Sequence, residues 1–242
     1  MRTVKVLIEY DGTDFFGWQA QRKRRTVQGE LQKALSTLLN SDVALTGAGR
    51  TDTGVHALGQ VAHFTTDAEA DVATIHRGLN SILPDDIVVH EVEEGPPDFH
   101  ARFSAKARRY IYRITRERRA IGRQFAWYVK YPLDLSKMKR SAESLRGRQD
   151  FRSFCSAESE STDYTCTLLD VHWAEENGQL IFEAEADRFL QHMVRTIVGT
   201  LVEVGRGRWE ISRVADILKA RDRRRAGPTA PAHGLCLVEV KY

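Results

Sequence analysis

At 242 residues, the chain is long enough to bury a core as one large domain or as two small ones. A hydrophobic fraction of 42% with 29% charged residues is typical of a globular protein and argues against intrinsic disorder. No apolar run is long enough to span a membrane, and the N-terminus lacks the apolar stretch of a signal peptide. The three cysteines form no C-x-x-C pair, which argues against a disulfide framework. We therefore expect a cytoplasmic protein with no membrane partner.

Positive charge is concentrated in three parts of the chain. The formal net charge is only +3, yet residues 101–123 contain nine basic residues and a single acid, Glu117. Smaller basic clusters lie at 22–25 and 221–225. Arginines mixed with tyrosines suit a polyphosphate ligand whose bases can stack. A solvated surface explains any one cluster equally well, but the three together favour nucleic acid as the partner.

The first half of the chain alternates strands and helices. Helical spacing of apolar residues from Val27 to Leu39 predicts a helix, with Thr26 as its N-cap and Asn40 as its closing residue. Alternating apolar residues predict a strand at 4–10. The remaining elements predicted in this half are strands at 43–46 and 60–65, a helix at 72–83 ended by Pro84, and a strand at 87–92, before a boundary at 93–100.

The second half repeats this alternation. Its predicted elements are a strand at 107–115, a short helix at 135–145, strands at 167–173 and 180–186, helices at 190–204 and 211–219, and a last strand at 235–240. We therefore expect a mixed α+β fold of two pseudosymmetric halves, 1–105 with the glycine-rich Asp52 loop and 106–242. Their antiparallel or mixed sheets would be flanked by helices and meet along a central basic cleft. Such a cleft is the natural place for a ligand.

The stretch GAGRTDTGVHALGQVAHF, residues 47–64, places an aspartate, Asp52, among three glycines. It is not a phosphate-binding P-loop, because it has no Gly-Lys pair, and Asp52 replaces the third glycine of a dinucleotide fingerprint. His56 and His63 are seven residues apart with no cysteine nearby, so their spacing does not favour a metal site. Taken alone, an aspartate in such a turn most often forms an Asx-turn or a helix cap.

The segment GRTDTGVHALGQV resembles the active-site segment of the TruA family of tRNA pseudouridine synthases. Four further segments match that family in order: YDGTDFFGWQ at 10–19, TVQGELQKAL at 26–35, DFHARFSAKARRYIYRI at 98–114 and DRFLQHMVRTIVGTLVEVG at 187–205. The resemblance therefore extends over nearly the whole chain. Thr53 and Gln191 stand where the family often has a small residue and an aromatic or histidine, respectively.

The resemblance implies a pseudouridine synthase fold and the isomerisation of uridine to pseudouridine at positions 38, 39 and 40 of the tRNA anticodon stem-loop. This reaction gains and loses no atoms, so it implies neither a cofactor nor a metal. Asp52 is implied as the catalytic residue, because a carboxylate can stabilise or trap a cleaved glycosyl or base intermediate. Arg50, Tyr110 and Arg195 are implied as substrate-binding residues, and Arg195 would also keep Asp52 ionised. A homodimer that binds one tRNA through both chains is implied as well.

The residues themselves leave structural alternatives open for each of these roles. Arg50 could stabilise the turn, Arg195 could be an ordinary arginine on a helix surface, and Tyr110 could be a core aromatic that shares a strand face with Tyr112. Whether Asp52 attacks the sugar, attacks the base or abstracts a sugar proton is also open.

Three other polar residues of the motif, His56, Gln60 and His63, stay outside the predicted catalytic set. Their place in the motif does not separate a structural hydrogen bond from a substrate contact. Two other classes of function also fit the residues. A non-catalytic RNA-binding module would carry similar basic strands and aromatic side chains, and a nucleoside hydrolase would pair Asp52 with a second carboxylate such as Asp187.

Overall fold

The computed structural model describes residues 1–242 and confirms the expected mixed α+β class. Its strands are β1 (Arg2–Tyr10), β2 (Thr46–Gly47), β3 (His56–Thr66), β4 (Ile87–Glu94), β5 (Ala107–Thr115), β6 (Trp127–Tyr128), β7 (Gly147–Asp150), β8 (Thr165–Glu176), β9 (Gln179–Ala186) and β10 (Leu235–Lys241). Its helices are α1 (Val27–Leu39), α2 (Val72–Ile82), α3 (Leu135–Ala142), α4 (Met193–Gly205) and α5 (Arg213–Ala220). None of these helices is long and apolar enough to cross a membrane.

Both predicted ends of α1 are confirmed. The Thr26 hydroxyl accepts a hydrogen bond from the Gly29 N–H at 3.3 Å, which satisfies one of the free donors at the start of the helix. Asn40 ends the helix in the left-handed region with φ 48°, a conformation that asparagine tolerates better than most residues. Local capping chemistry therefore sets this helix, and with it the position of the loop that precedes it.

The strand predicted at 43–46 is wrong, because only Thr46 at its end joins a strand, the two-residue β2. Val43 and Leu45 are buried, as their alternation suggests, but their carbonyl groups bond to α1 instead of to a neighbouring strand. The side-chain amide of Gln32 donates to the Val43 carbonyl at 3.1 Å, and that of Gln28 donates to the Leu45 carbonyl at 2.7 Å. Helix side chains thus replace the ladder that a strand requires.

Residues 1–106 and 236–242 form one compact unit. Its strands lie in the order β4, β1, β3, β10, and β2 pairs with part of β3. β1 is antiparallel to both β3 and β4, whereas β10 runs parallel to β3 and pairs Cys236 with His56 and Leu237 with Ala57. α1 contacts α2, and α2 packs against β4. The end of the chain therefore supports the strand that follows the Asp52 loop.

Residues 107–235 form the second compact unit. Its strands β5, β9, β8 and β7 are antiparallel in that order, and the short β6 runs parallel to the end of β5. α4 is almost entirely buried and contacts α3, α5 and β5. Tyr112 and Phe182 pair across β5 and β9 in the core of this unit, and both are fully buried.

Candidate active site

Asp52 lies in the loop between β2 and β3 and is half-buried. The loop is fixed on both sides of this residue. The Thr51 carbonyl accepts the Trp18 N–H at 3.1 Å, and the Asp52 carbonyl accepts the Val55 N–H at 3.1 Å to close a tight turn. The Thr51 hydroxyl also bonds to the Tyr10 hydroxyl at 2.7 Å. Burial raises the pKa of Tyr10, so this support stays a neutral phenol.

A glycine outside the motif permits this arrangement. Gly17 has φ +82°, and a Cβ at this position would stand 2.7 Å from the Thr51 carbonyl oxygen. Any side chain would therefore both strain the backbone of residue 17 and push away the segment that carries Asp52. The loop between β1 and α1 is thus a structural part of the Asp52 site.

The glycines inside the motif serve different purposes. Gly54 has φ +78°, as the turn after Asp52 requires. A Cβ on Gly47 would lie 2.6 Å from the Trp18 ring, so this glycine is needed for packing and not for ligand approach. A Cβ on Gly49 would meet nothing within 4 Å, so Gly49 borders open space.

His56 and Gln60 hold the backbone of the site. Nδ1 of His56 accepts the Gly12 N–H at 3.0 Å, and the Gln60 amide donates to the Gly49 carbonyl at 3.0 Å. Both side chains are buried. Each hydrogen bond ties a different loop to β3, so these contacts are structural.

Arg50 is exposed, and its side chain makes no ion pair or hydrogen bond within the protein. It does not stabilise the turn, which removes the main structural alternative for this residue. An exposed guanidinium two residues before Asp52 is available to a phosphate group.

Arg195 and Tyr110 lie in the second unit. Arg195 is half-buried on α4, and its Nε donates to the Ala230 carbonyl at 2.9 Å while its own carbonyl accepts the Ala230 N–H at 3.1 Å. The Nε bond orients the guanidinium, so Arg195 is not an ordinary arginine on a helix surface. Tyr110 is 8% exposed on β5 and packs edge-on against Phe189, with ring centroids 5.1 Å apart. The grouping of these two residues with Arg50 and Asp52 in one site stays a prediction.

A family model described as tRNA pseudouridine synthase matches residues 6–104 and 141–242. The chain belongs to this family. The tRNA pseudouridine synthase A of Halalkalibacterium halodurans is 46% identical over 238 residues, which cover 97% of this chain and 90% of that protein. Those of a Thermoanaerobacter species and of Acetivibrio thermocellus are 44% and 45% identical over 244 residues, and in both pairs the match covers 100% of each chain.

Among solved structures, the crystal structure of a Cbf5-Nop10-Gar1 complex matches 96% of this chain and 57% of that chain, with a TM-score of 0.35 and 11% identity. A similarity this low supports no conclusion. Membership of the tRNA pseudouridine synthase family, however, makes the chain an isomerase that acts on uridine.

The nucleoside hydrolase alternative is also unsupported by the geometry of its second carboxylate. Oδ1 of Asp187 accepts the N–H groups of Thr167 at 2.8 Å and of Arg188 at 2.7 Å. The bond from Thr167 ties the end of β9 to β8, so the Asp187 carboxylate has a structural task in this pseudouridine synthase. No group of three or more His, Cys, Asp or Glu side chains is placed to hold a metal ion.

Phe103, an aromatic residue of the segment 98–114, is a further candidate for contact with RNA. It is 76% exposed and stacks on His100 with ring centroids 4.4 Å apart, and the Arg102 guanidinium lies 5.5 Å from its ring centroid. His63 supports this segment, since its Nδ1 accepts the Ala101 N–H at 3.2 Å. The only sequence signal for Phe103 is its position beside basic residues, which does not distinguish an exposed phenylalanine from one in the core.

Proposed function

We propose that the chain isomerises uridine to pseudouridine at positions 38, 39 and 40 of the tRNA anticodon stem-loop, in the cytoplasm and as a homodimer that binds one tRNA through both chains. The observation that carries the proposal is the full-length match to tRNA pseudouridine synthases A, in which Asp52 falls in a loop braced from three sides. The concentration of arginines at 101–123 supports an RNA substrate.

Asp52 is the catalytic residue in this proposal. The bond from C1′ of the ribose to N1 breaks, the base turns within the site, and a bond from C1′ to C5 forms while the C5 proton is lost and N1 gains one. The reaction is balanced without oxidant or reductant. The Asp52 carboxylate stabilises or traps the cleaved intermediate, and its braced backbone keeps it in place while the base moves.

Three further residues bind the substrate in this proposal. Arg50 has the exposure to meet a backbone phosphate or to fill the space left by an extruded nucleotide. Tyr110 offers the ring against which the target base stacks. Arg195, whose guanidinium is oriented through Nε, is the third substrate-binding residue.

The test is release of tritium from tRNA labelled at C5 of uridine. The wild-type protein should release the label, and Asp52→Asn should lower the rate by at least about 10³-fold while tRNA affinity changes little. Asp14→Asn is the matched control, since it makes the same change at an exposed carboxylate of the neighbouring loop and should behave as wild type. Wild-type turnover by Asp52→Asn would remove Asp52 from the mechanism.

A further inference from the structure

The second unit contains a cavity of about 380 Å³ that none of the proposed site residues lines. Its walls are the end of β5, the loop 116–126, β6, Gln179 at the start of β9, and residues 231 and 233. The volume falls in the range of small-molecule sites. Tyr110 lies five residues before the end of β5, roughly 16 Å along the strand from the cavity.

The cavity is lined by cations and by no carboxylate. Arg118, Arg119 and Arg123 all contribute to it. Arg119 pairs with Glu117 at 3.0 Å on the surface, and Arg123 uses one Nη1 donor on the Ala120 carbonyl at 3.0 Å. Arg118 makes neither an ion pair nor a hydrogen bond. Guanidinium donors left without protein acceptors at a concave surface favour an anion, and phosphate oxygens match their geometry best.

An aromatic wall stands beside these arginines. Trp127 is half-buried and Tyr128 exposed, and their strand is fixed because Trp127 pairs with Ile114 of β5. The Trp127 ring is also held edge-on by Tyr112, at 6.3 Å between centroids. Trp127 is therefore held in place before a ligand arrives, which reduces the entropy lost on binding.

Unused hydrogen-bonding groups complete the cavity. Trp127, Tyr128 and Gln179 line it, and the indole N–H, the hydroxyl and the amide of these side chains bond to no other protein group. A lone phosphate would not use an aromatic wall, and an uncharged aromatic ligand would not use the arginines. A nucleotide uses both, because its base stacks and hydrogen-bonds while its phosphate pairs with guanidinium groups.

We infer that this cavity binds one nucleotide through its phosphate and base, at a position separate from the uridine that stacks on Tyr110. The nucleotide in the cavity is a second nucleotide of the bound tRNA, and this assignment rests on the proposed function. A free nucleotide has the same chemistry, so the experiment has an arm for each source.

The first arm measures the affinity of unmodified tRNA for the double variant Arg118→Gln/Arg123→Gln as a function of salt. The variant should bind about tenfold more weakly, and the slope of log affinity against log salt should flatten by roughly 0.9 for each phosphate that the variant no longer neutralises. The control Lys137→Gln/Lys139→Gln removes two charges from exposed positions of α3 in the same unit and should stay within about twofold of wild type.

The second arm titrates UMP and uridine separately into wild-type protein and follows the indole N–H resonance of Trp127, assigned with Trp127→Phe. UMP should shift this resonance, uridine at the same concentration should not, and UMP should have no effect on the arginine double variant. If UMP shifts the Trp127 resonance and the arginine double variant binds tRNA more weakly, the cavity binds a nucleotide of the tRNA. If UMP shifts the resonance but the double variant binds tRNA as wild type does, the cavity is a nucleotide site that takes a free nucleotide.

The inference is overturned if UMP leaves Trp127 unaffected and the double variant binds tRNA as the control does. Tritium release by the wild-type protein is measured in parallel. If release is absent while UMP still shifts Trp127, the proposed function fails and the nucleotide site stands.

Discussion

The position of Asp52 depends on Gly17, a residue far from it in the sequence. Replacement of Gly17 by alanine forces a left-handed backbone on a residue with a Cβ and brings that atom to 2.7 Å from the Thr51 carbonyl oxygen. We expect Gly17→Ala to lose at least about 1–2 kcal/mol of stability and to slow tritium release, although the Asp52 carboxylate is still present.

The control for this prediction is Gly49→Ala, because a Cβ there meets nothing within 4 Å and the backbone needs no positive φ. Its free energy of unfolding should stay within about 0.5 kcal/mol of wild type. Denaturant unfolding and tritium release measure both variants. A Gly17→Ala protein with wild-type stability and rate would show that the loop is not braced as described.

The pKa of His63 predicts a dependence of stability on pH. Burial, and then the neighbouring His100, lower the pKa of His63 from its ordinary value of 6.5. Between the lowered pKa and 6.5, His63 therefore binds more protons in the unfolded chain than in the folded one. As the pH falls through this range, His63 lowers the free energy of unfolding. The free energy of unfolding of His63→Gln should fall less than that of wild type from about pH 7 to about pH 5. Equal pH profiles in denaturant unfolding would contradict this.

Among the helices, α4 is tied to the segment that leads towards β10. A Cβ on Gly199 would lie 1.8 Å from the Pro228 carbonyl oxygen, and the Thr200 hydroxyl accepts the Gly227 N–H at 2.9 Å. The Ala230 carbonyl that orients Arg195 belongs to this same segment. The packing of α4 against this segment therefore helps to set the position of Arg195, a proposed substrate-binding residue.

The substitution Gly199→Ala distinguishes the effect of this packing on stability from the effect of helix propensity. Propensity alone predicts that alanine inside α4 stabilises the protein by roughly 1 kcal/mol, whereas displacement of the packed segment predicts a loss of about 1–3 kcal/mol. We expect the loss, together with slower tritium release through a displaced Arg195. A stabilised variant in thermal or denaturant unfolding would contradict the close contact.

Elements set by local chemistry can be predicted from the sequence. The alternation at 4–10 and the caps of α1 are confirmed because each depends on residues a few positions apart. The segment 43–46 fails because its partners are glutamine side chains of α1, and β6 has too few residues to show any period. In the candidate site, Asp52 follows from the motif, but its dependence on Gly17 arises from a tertiary contact that no local pattern records.

For the assembled protein, the proposed homodimer makes a prediction about mass. Sedimentation or light scattering should give twice the 27.5 kDa of one chain at micromolar concentration, with and without tRNA. If one tRNA binds through both chains, the complex should contain two chains for each tRNA at the point of saturation. A monomer that saturates with one tRNA per chain would contradict the dimer and leave the chemistry of Asp52 untouched.

The proposed activity and its catalytic residue are tested together by mapping pseudouridine, position by position, in a tRNA incubated with wild-type protein or with Asp52→Asn. We predict pseudouridine at positions 38, 39 and 40, wherever the tRNA has uridine there, for the wild-type protein and for Asp14→Asn, and none for Asp52→Asn. Pseudouridine only at other positions would contradict the proposed substrate site, and the same pattern with Asp52→Asn would contradict the role of the carboxylate.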